Sequence, residues 1–476
     1  MKHRFENLLG KDKVVSDRSL LASYGDSFEE LEQVIPALVV LPTSVEEVQA
    51  IVRVCADSHT AIAPRIGGAA IGAFAVHPNN SLVMDLRCMD SIVDVFVDDQ
   101  VAVLEPGVTQ DQLLRHLDAR ELRLTFGVSF GTGRSSVLAS CLFGGSRSLS
   151  IKWGAMSQSV SGLEVVLSDG SIARTGAWAV SDTPFVRDAL PDLTGLFLGW
   201  QATYGIITKF GFRLAPRHPH SARLIVLAYS LRGTLEAVRC LRRMECYDDI
   251  GAISSAAAKM MLGVDRPRPA SDPSGPQFML FVEMTAELPE QLVLQRQMLG
   301  DVIRKLRAQG ECFEEPIDVQ TLAALNPALN AFASLPADPD FSIDPSSRCM
   351  AWLGTYGPIS RIEDAASAGM DAMRAHGMAP TFVARSMQRG HFGALRFLCS
   401  FDRDDPGDVA SVRAMNAVLL RGQSACGFVV SGASPWVVRE MVRTGDKGTV
   451  SLLERVKEAL GPSGLFDAGV REGVRR

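Results

Sequence analysis

Two short stretches of this chain hold residue types that could bind a phosphate. The first is Pro64-Arg65-Ile66-Gly67-Gly68-Ala69-Ala70-Ile71-Gly72. Small residues after an apolar run leave successive backbone N–H groups uncovered. N–H groups that converge on one concavity make a nest for a phosphate or pyrophosphate. Glycine lets the backbone approach the anion and adopt φ values that other residues avoid. An ordinary glycine turn is the competing reading of this stretch taken alone. It is not GxxxxGK[ST], and it lacks the GxGxxG spacing of the dinucleotide fold. The second stretch is Gly127 to Gly145, GVSFGTGRSSVLASCLFGG. It has too many glycines and serines for a plain helix and too many apolar positions for a linker. It suits a chain lying along a flat ligand, with hydroxyls and N–H groups toward phosphates.

Regular elements must hold these stretches in place. Ser16-Asp17-Arg18 can cap a helix through Ser19 to Tyr24 in a polar, helical start over 1–35. Ala37 to Pro42 is a short buried strand, and Ser44 with Glu47 fits a capping box for a helix from Val45 to Cys55. Ala61 to Pro64 is a second strand, which makes a small βαβ unit ending at the first glycine stretch. Strands follow at Ser81–Leu86, Ser91–Val97 and Val101–Leu104, and Thr109 caps a helix from Gln110 to Ala119. Val160–Leu167 and Ile172–Thr175 flank the turn Ser168-Asp169-Gly170-Ser171, a hairpin signal, and Ile206–Leu214 is a further strand.

After Pro216 the pattern changes. Arg217-His218-Pro219-His220 reads as a linker. Strands at Arg223–Tyr229, Gln277–Glu283, Cys349–Gly354 and Phe392–Phe401 then alternate with helices at Leu231–Met244, Glu290–Gln309, Ile362–Ala375 and Pro406–Leu420. This is the signature of an α+β unit with an antiparallel sheet covered on one side. The expected division is therefore 1–216, 217–425 and a tail at 426–476 with a helix from Val450 to Leu460.

Composition narrows the function. The 476 residues suit two or three domains, and 47% hydrophobic with 21% charged residues allows a large core. Net charge is −6, and no basic cluster resembles a nucleic-acid surface. No uncharged apolar run reaches the length of a membrane span, and the N-terminus lacks the apolar core of a secretory signal. Nine cysteines without a CxxC pair read as reduced thiols of a cytoplasmic protein.

The order of the pieces resembles the FAD-binding domain of the vanillyl-alcohol oxidase and p-cresol methylhydroxylase superfamily. The resemblance rests on VVLPTSVEEVQAIVRVC, IAPRIGGAAIG, VAVLEPGVTQDQLLRHL, VSGLEVVLSDGSIARTG and LTGLFLGWQATYGIITKFGFRLAP, over roughly residues 35–216. The tail LLERVKEALGPSGLFDAG resembles the superfamily's closing helix and the loop returning to the flavin, and 221–425 matches weakly, as a substrate-covering cap would. The resemblance implies a two-subdomain FAD-binding domain at 1–216, a cap domain at 217–425 and a C-terminal segment returning to the first. Arg65, Ile66, Gly67, Gly68, Ala69 and Ala70 would form the loop around the FAD pyrophosphate. Gly131, Thr132, Gly133 and Ser136 would lie along the flavin and phosphates, and Trp153 and Gly154 near the ribityl or adenosine part. Ile206 would hold the adenine through its backbone, and it also reads as a core strand residue.

The chain departs from its relatives at several places. One subgroup links FAD to a histidine just after the two glycines, where this chain has Ala69, and another to a cap histidine near Cys349–Gly354, where there is none. Non-covalent FAD is expected, with Cys349 and Cys141 the remaining sites for a link. The Tyr-Arg pair that clamps a phenolate is missing from Ser431–Val438. Arg389–Ala394 keeps one histidine, too few ligands for a metal site. Asp467-Ala468-Gly469-Val470 stands where relatives carry Asn-Pro-Gly-Lys.

The catalytic candidates are His391, Arg396 and Tyr356. His391 is a base if it faces the flavin, or a satisfied histidine elsewhere. Arg396 would fix a substrate carboxylate, or be a charge on the solvent face of the sheet. Trp436 and Arg385 are candidates for the pocket wall. The expected function is FAD-dependent oxidation, with hydride passing from a C–H beside oxygen or nitrogen of a small organic substrate to flavin N5 and then to oxygen or an electron carrier. An oxidative cyclisation or internal redox step is the first rival. A non-catalytic flavoprotein subunit is the second. Nothing in the pattern excludes a homodimer.

Overall fold

The computed structural model describes residues 1–25, 35–67, 81–128, 133–198, 204–261, 275–326, 349–430, 435–461 and 464–466. The first sheet contains β1 (Val14–Val15), β2 (Leu38–Val40), β3 (Ile62–Arg65) and β4 (Leu82–Asp85) in the order β1-β2-β4-β3. Both β2 and β3 run parallel to β4. The expected strand–helix–strand unit is present, but its two strands are not neighbours. All four residues of β4 are buried, so it is the strand that can take the centre.

The helix Val45–Asp57 buries Val45, Val48, Ile51, Val52 and Cys55, spaced three and four apart along one face. Ser44 Oγ accepts the Glu47 N–H at 3.3 Å. The Glu47 carboxylate does not return to Ser44. It takes the Thr43 N–H at 2.8 Å and the Lys13 ammonium at 2.6 Å, so the cap is shifted one residue outward.

The second sheet is antiparallel, with β5 (Ile92–Phe96), β6 (Val101–Leu104), β8 (Val160–Val166), β9 (Ile172–Arg174) and β10 (Ile206–Arg213) in the order β5-β6-β10-β8-β9. Asp169 makes the β8–β9 turn by accepting from Ser171 N at 2.8 Å and Ser171 Oγ at 2.6 Å. The segment expected as a linker is fastened instead. β11 (Ala215–Pro216) pairs with β7 (Leu124–Thr125), and Arg217 N donates to Arg123 O at 2.8 Å. β12 (His220–Ala228) then starts at once.

The largest sheet has eight strands, in the order β15-β12-β14-β13-β17-β18-β16-β19. They are β12, β13 (Asp249–Ser254), β14 (Phe278–Ala286), β15 (Ile317–Asp318), β16 (Cys349–Pro358), β17 (Val383–Met387), β18 (Phe392–Phe401) and β19 (Val429–Val430), all antiparallel. Helices Leu231–Arg242, Pro289–Ala308, Ile362–Ala375 and Pro406–Ala425 share one core with alternate strand residues, among them Leu224, Val226, Leu280, Val282, Leu353, Leu395 and Phe397. The strand residues between these project from the other face, where Ala257 of the short helix Ser255–Met261 packs against Ile253, Phe281 and Val383.

Two features join the units. Ile151, on the short helix Ser150–Trp153, is buried in the core of the large sheet, and its neighbour Lys152 is ion-paired with Asp248. After the helix Lys447–Leu460 the chain returns to the first unit. Ile62 N donates to Leu465 O at 2.7 Å, and Leu465 and Phe466 are buried in the first core.

Candidate functional site

The first glycine stretch leaves β3 at Arg65. The Arg65 guanidinium lies 4.8 Å from the Tyr24 ring centroid and donates to Tyr24 O at 3.1 Å, while Ile66 is buried in the core. Gly67 has φ +57°, a left-handed backbone that favours glycine. A Cβ there would stand 2.9 Å from both Cβ and N of Ser136. The two small-residue stretches therefore meet directly. Ser136 is buried, donates to Pro106 O at 2.6 Å and accepts from Ala139 N at 3.2 Å. Gly133 is fixed by Asp111 N, which donates to its carbonyl at 2.9 Å. Gly68, Ala69, Ala70, Gly131 and Thr132 lie outside the described residues, as does the 467–470 stretch.

The end of the second stretch is held by a residue that sequence reasoning passed over. Arg147 is 2% exposed, and its guanidinium donates to Gly154 O at 3.1 Å and Trp153 O at 2.9 Å. Burial pushes it down to about 10. Trp153 and Gly154 are thus placed by their carbonyls, with the Trp153 ring part-exposed on a cleft. Ile206 is fully buried and in register with Val166, a core position of the second sheet.

Opposite these loops is the second face of the large sheet. Tyr356 on β16 donates its hydroxyl to Gly144 O, and Ala155 packs with Met387, Ala394, Tyr356 and Phe392. Arg396 on β18 is 5% exposed, so the solvent-face alternative for it does not hold. Its guanidinium donates to Thr355 O at 3.2 Å, Leu395 O at 3.0 Å and Tyr356 Oη at 3.2 Å. It also lies 5.2 Å from the Trp352 centroid and 4.9 Å from that of Tyr356. Each of these partners is neutral. Arg385 on β17 is 3% exposed and ion-paired with Asp249 at 3.0 Å. His391 is exposed in the β17–β18 turn, where its N–H donates to Gln388 O at 3.1 Å, and is not part of this cluster. Trp436 falls on the helix Pro435–Thr444, but its side chain is outside the described residues.

Cys141 and Cys349 both lie in cores. Burial pushes the Cys141 thiol up to about 12 and Cys349 packs under the helices of the large sheet. Neither stands on the face that Tyr356 and Arg396 share. A cleft of about 700 Å³ opens between the two units, lined among others by Phe126, Lys152, Trp153, Asp248 and Glu283. Among the described residues, no cluster of His, Cys, Asp and Glu could hold a metal, and no helix is long and apolar enough to cross a membrane.

A left-handed glycine at a strand end, set against a buried serine and a run of small residues, fits a dinucleotide pyrophosphate. The sheet face beyond Gly144 carries both signs of charge, with Arg385 and Arg396 on β17 and β18 and Asp249 and Glu283 on β13 and β14. Comparison with known proteins agrees with this geometry. Residues 36–176 match the FAD binding domain family. The mitochondrial D-lactate dehydrogenase [cytochrome] of Arabidopsis thaliana is 32% identical over 39% of this chain and 32% of its own length. The chain thus spans about a third of that relative. The flavoprotein subunit of 4-cresol dehydrogenase [hydroxylating] from Pseudomonas putida is 28% identical over 52% of this chain and 48% of its own. The fold of p-cresol methylhydroxylase with substrate bound superposes with a TM-score of 0.85, covering 99% of this chain and 96% of that one at 20% identity. The chain thus carries an FAD binding domain at residues 36–176, within a fold like that of p-cresol methylhydroxylase.

Proposed function

We propose that the chain oxidises a small organic acid at a C–H beside oxygen or nitrogen, with the substrate carboxylate held by Arg396. The carrying observation is a guanidinium 5% exposed whose three hydrogen-bond partners are all neutral. Burying a charge without a counter-charge is costly. A bidentate carboxylate supplies that counter-charge.

When bound, FAD supplies the hydride acceptor for the bond that breaks. The loop from Arg65 to Ala70, with Gly131 to Ser136, would hold its pyrophosphate, and Gly144 would lie along the ring system. Tyr356 would fix the edge of the pocket by bridging Gly144 and Arg396. Ala155, Met387 and Phe392 would exclude water around it. Oxygen or an electron carrier would take the electrons onward.

The test is anaerobic mixing of the yellow holoprotein with panels of 2-hydroxy acids, amino acids, phenols and neutral alcohols. Bleaching by compounds with a carboxylate, and by no neutral analogue, is the expected result. Bleaching by phenols or alcohols alone would sink the role given to Arg396.

A further inference from the structure

The base of the first glycine stretch is gripped by a residue that lies outside the matched domain. On the first sheet, Leu21 of the helix Arg18–Gly25 is buried with Val39, Ala63 and Val83, which alternate with the strand residues of the main core. The helix therefore covers the other face of that sheet. Its Tyr24 stands before residue 36, where the match to the FAD binding domain family begins.

Tyr24 is tied at its hydroxyl, its ring and its carbonyl. The hydroxyl donates to Asp85 Oδ2 at 2.8 Å and accepts from Arg87 Nη2 at 3.1 Å. The ring lies 4.8 Å from the Arg65 guanidinium, and the carbonyl accepts from Arg65 Nη1 at 3.1 Å. Asp85 is fully buried and locked by Arg87, whose Nε donates to both carboxylate oxygens at 3.0 Å. Burial and then the Asp85 charge push the Tyr24 phenol up, so the hydroxyl stays a donor at neutral pH.

Arg65 and Asp85 are register partners at the ends of the parallel strands β3 and β4. Open sheets of parallel strands bind ligands beyond such carboxyl ends. Two residues past Arg65, Gly67 takes its left-handed turn against Ser136. A hold on Arg65 is thus a hold on the base of the loop. We propose that Tyr24 is a positioning residue for the FAD pyrophosphate, holding Arg65 and through it the loop in the conformation that binds. The inference rests on the assignment of the Arg65–Ala70 loop to the pyrophosphate. Ordering the loop in folding rather than on binding raises affinity without a new contact to the ligand.

The test uses the full chain, first as purified and then stripped of flavin and titrated with FAD, ADP and riboflavin. Tyr24→Leu removes the ring and the hydroxyl. It should bind FAD and ADP about tenfold more weakly, the order of a cation–π contact and a hydrogen bond together. Riboflavin, which has no pyrophosphate, should bind as it does to the wild type. The flavin-to-protein ratio as purified should fall in step. Tyr24→Phe keeps the ring against Arg65 and should recover most of the affinity. Arg65→Met should show at least the loss of Tyr24→Leu, and adding Tyr24→Leu to it should cost nothing more. Far-UV spectra and Tm show that each variant is folded, and Arg65→Met carries the comparison by itself if Tyr24→Leu does not fold. Equal losses for ADP and riboflavin, additive losses in the double variant, or wild-type FAD affinity in Tyr24→Leu or Arg65→Met would overturn the proposal. Weakened FAD binding by Gly67→Ala alongside any of these results would leave the loop assignment standing. Wild-type affinity in Gly67→Ala would overturn the loop assignment, and the role of Tyr24 with it.

Discussion

The Cδ and Nε atoms of Arg396 lie 2.9 Å from the point where a Cβ on Gly354 would stand. The two residues are register partners on β18 and β16. Arg396 can therefore lie flat across β16, reaching Trp352 and Tyr356, because position 354 carries no side chain.

This pairing gives a paired prediction. Gly354→Ala should displace the guanidinium without removing it, and Arg396→Lys should keep the charge but lose the planar fork. Both variants should hold flavin normally. Both should raise the KM for an acid substrate by at least tenfold, about 1.4 kcal/mol of binding. Arg396→Met, which removes a buried charge, should match or exceed wild-type Tm. A Gly354→Ala variant with wild-type KM would mean that Arg396 does not bind substrate.

Gly67, unlike Gly354, is required by its backbone conformation. A side chain there meets the left-handed φ and the Cβ and N of Ser136 together. The conformational cost alone is roughly 1–2 kcal/mol. Gly67→Ala should purify with a reduced flavin-to-protein ratio, measured by visible absorbance, while its far-UV spectrum stays that of the wild type. Full flavin content in that variant would place the cofactor away from this loop.

Local signals in the sequence were easy to read because they are short-range. Thr109 caps the helix Gln110–Ala119 as expected, and Gln112 closes the box. Asp169 makes the expected hairpin turn. The strands β13 and β17 escaped notice because Gly251, Ala252, Ala384 and Ser386 give them no apolar alternation. That omission hid Asp249 and left Arg385 without its partner. Arg396 could be read as exposed or buried, because nothing near it in the chain shows that it faces Gly354 across the sheet. Arg147 was missed for the same reason: its partners are carbonyls, which every residue carries.

The flavin should be removable. Ala69 follows the two glycines, β16 begins without a histidine, and Cys141 and Cys349 are enclosed in the two cores. Acid precipitation should leave the yellow colour in the supernatant, and a gently prepared apoprotein should regain it with added FAD. Ligand linkage then requires Tm to rise with free FAD, by about 2.7 kcal/mol of stability at a hundredfold excess over Kd. Colour that stays with the pellet would show a covalent link.

Glu164 gives the clearest acid-side prediction. Its side chain is 3% exposed on β8. Lys209 Nζ donates to Oε1 at 2.9 Å, and Arg174 donates to Oε2 from Nε at 3.1 Å and Nη2 at 2.9 Å. Burial pushes the carboxyl up, but the hydrogen bonds and charges of Lys209 and Arg174 outweigh it and hold the group below the ordinary glutamate range. A folded-state pKa below the unfolded one means that the unfolded chain binds more protons in between. The stabilisation is therefore complete above the unfolded pKa and is lost as pH falls through the folded one. Glu164→Gln should cost roughly 1.5–3 kcal/mol at pH 7, the range for hydrogen bonds to a charged group. The gap between variant and wild type in urea unfolding should narrow steadily below about pH 4.5. A gap that stays constant down to the acid transition would show that Glu164 contributes by packing and neutral hydrogen bonds rather than by its charge.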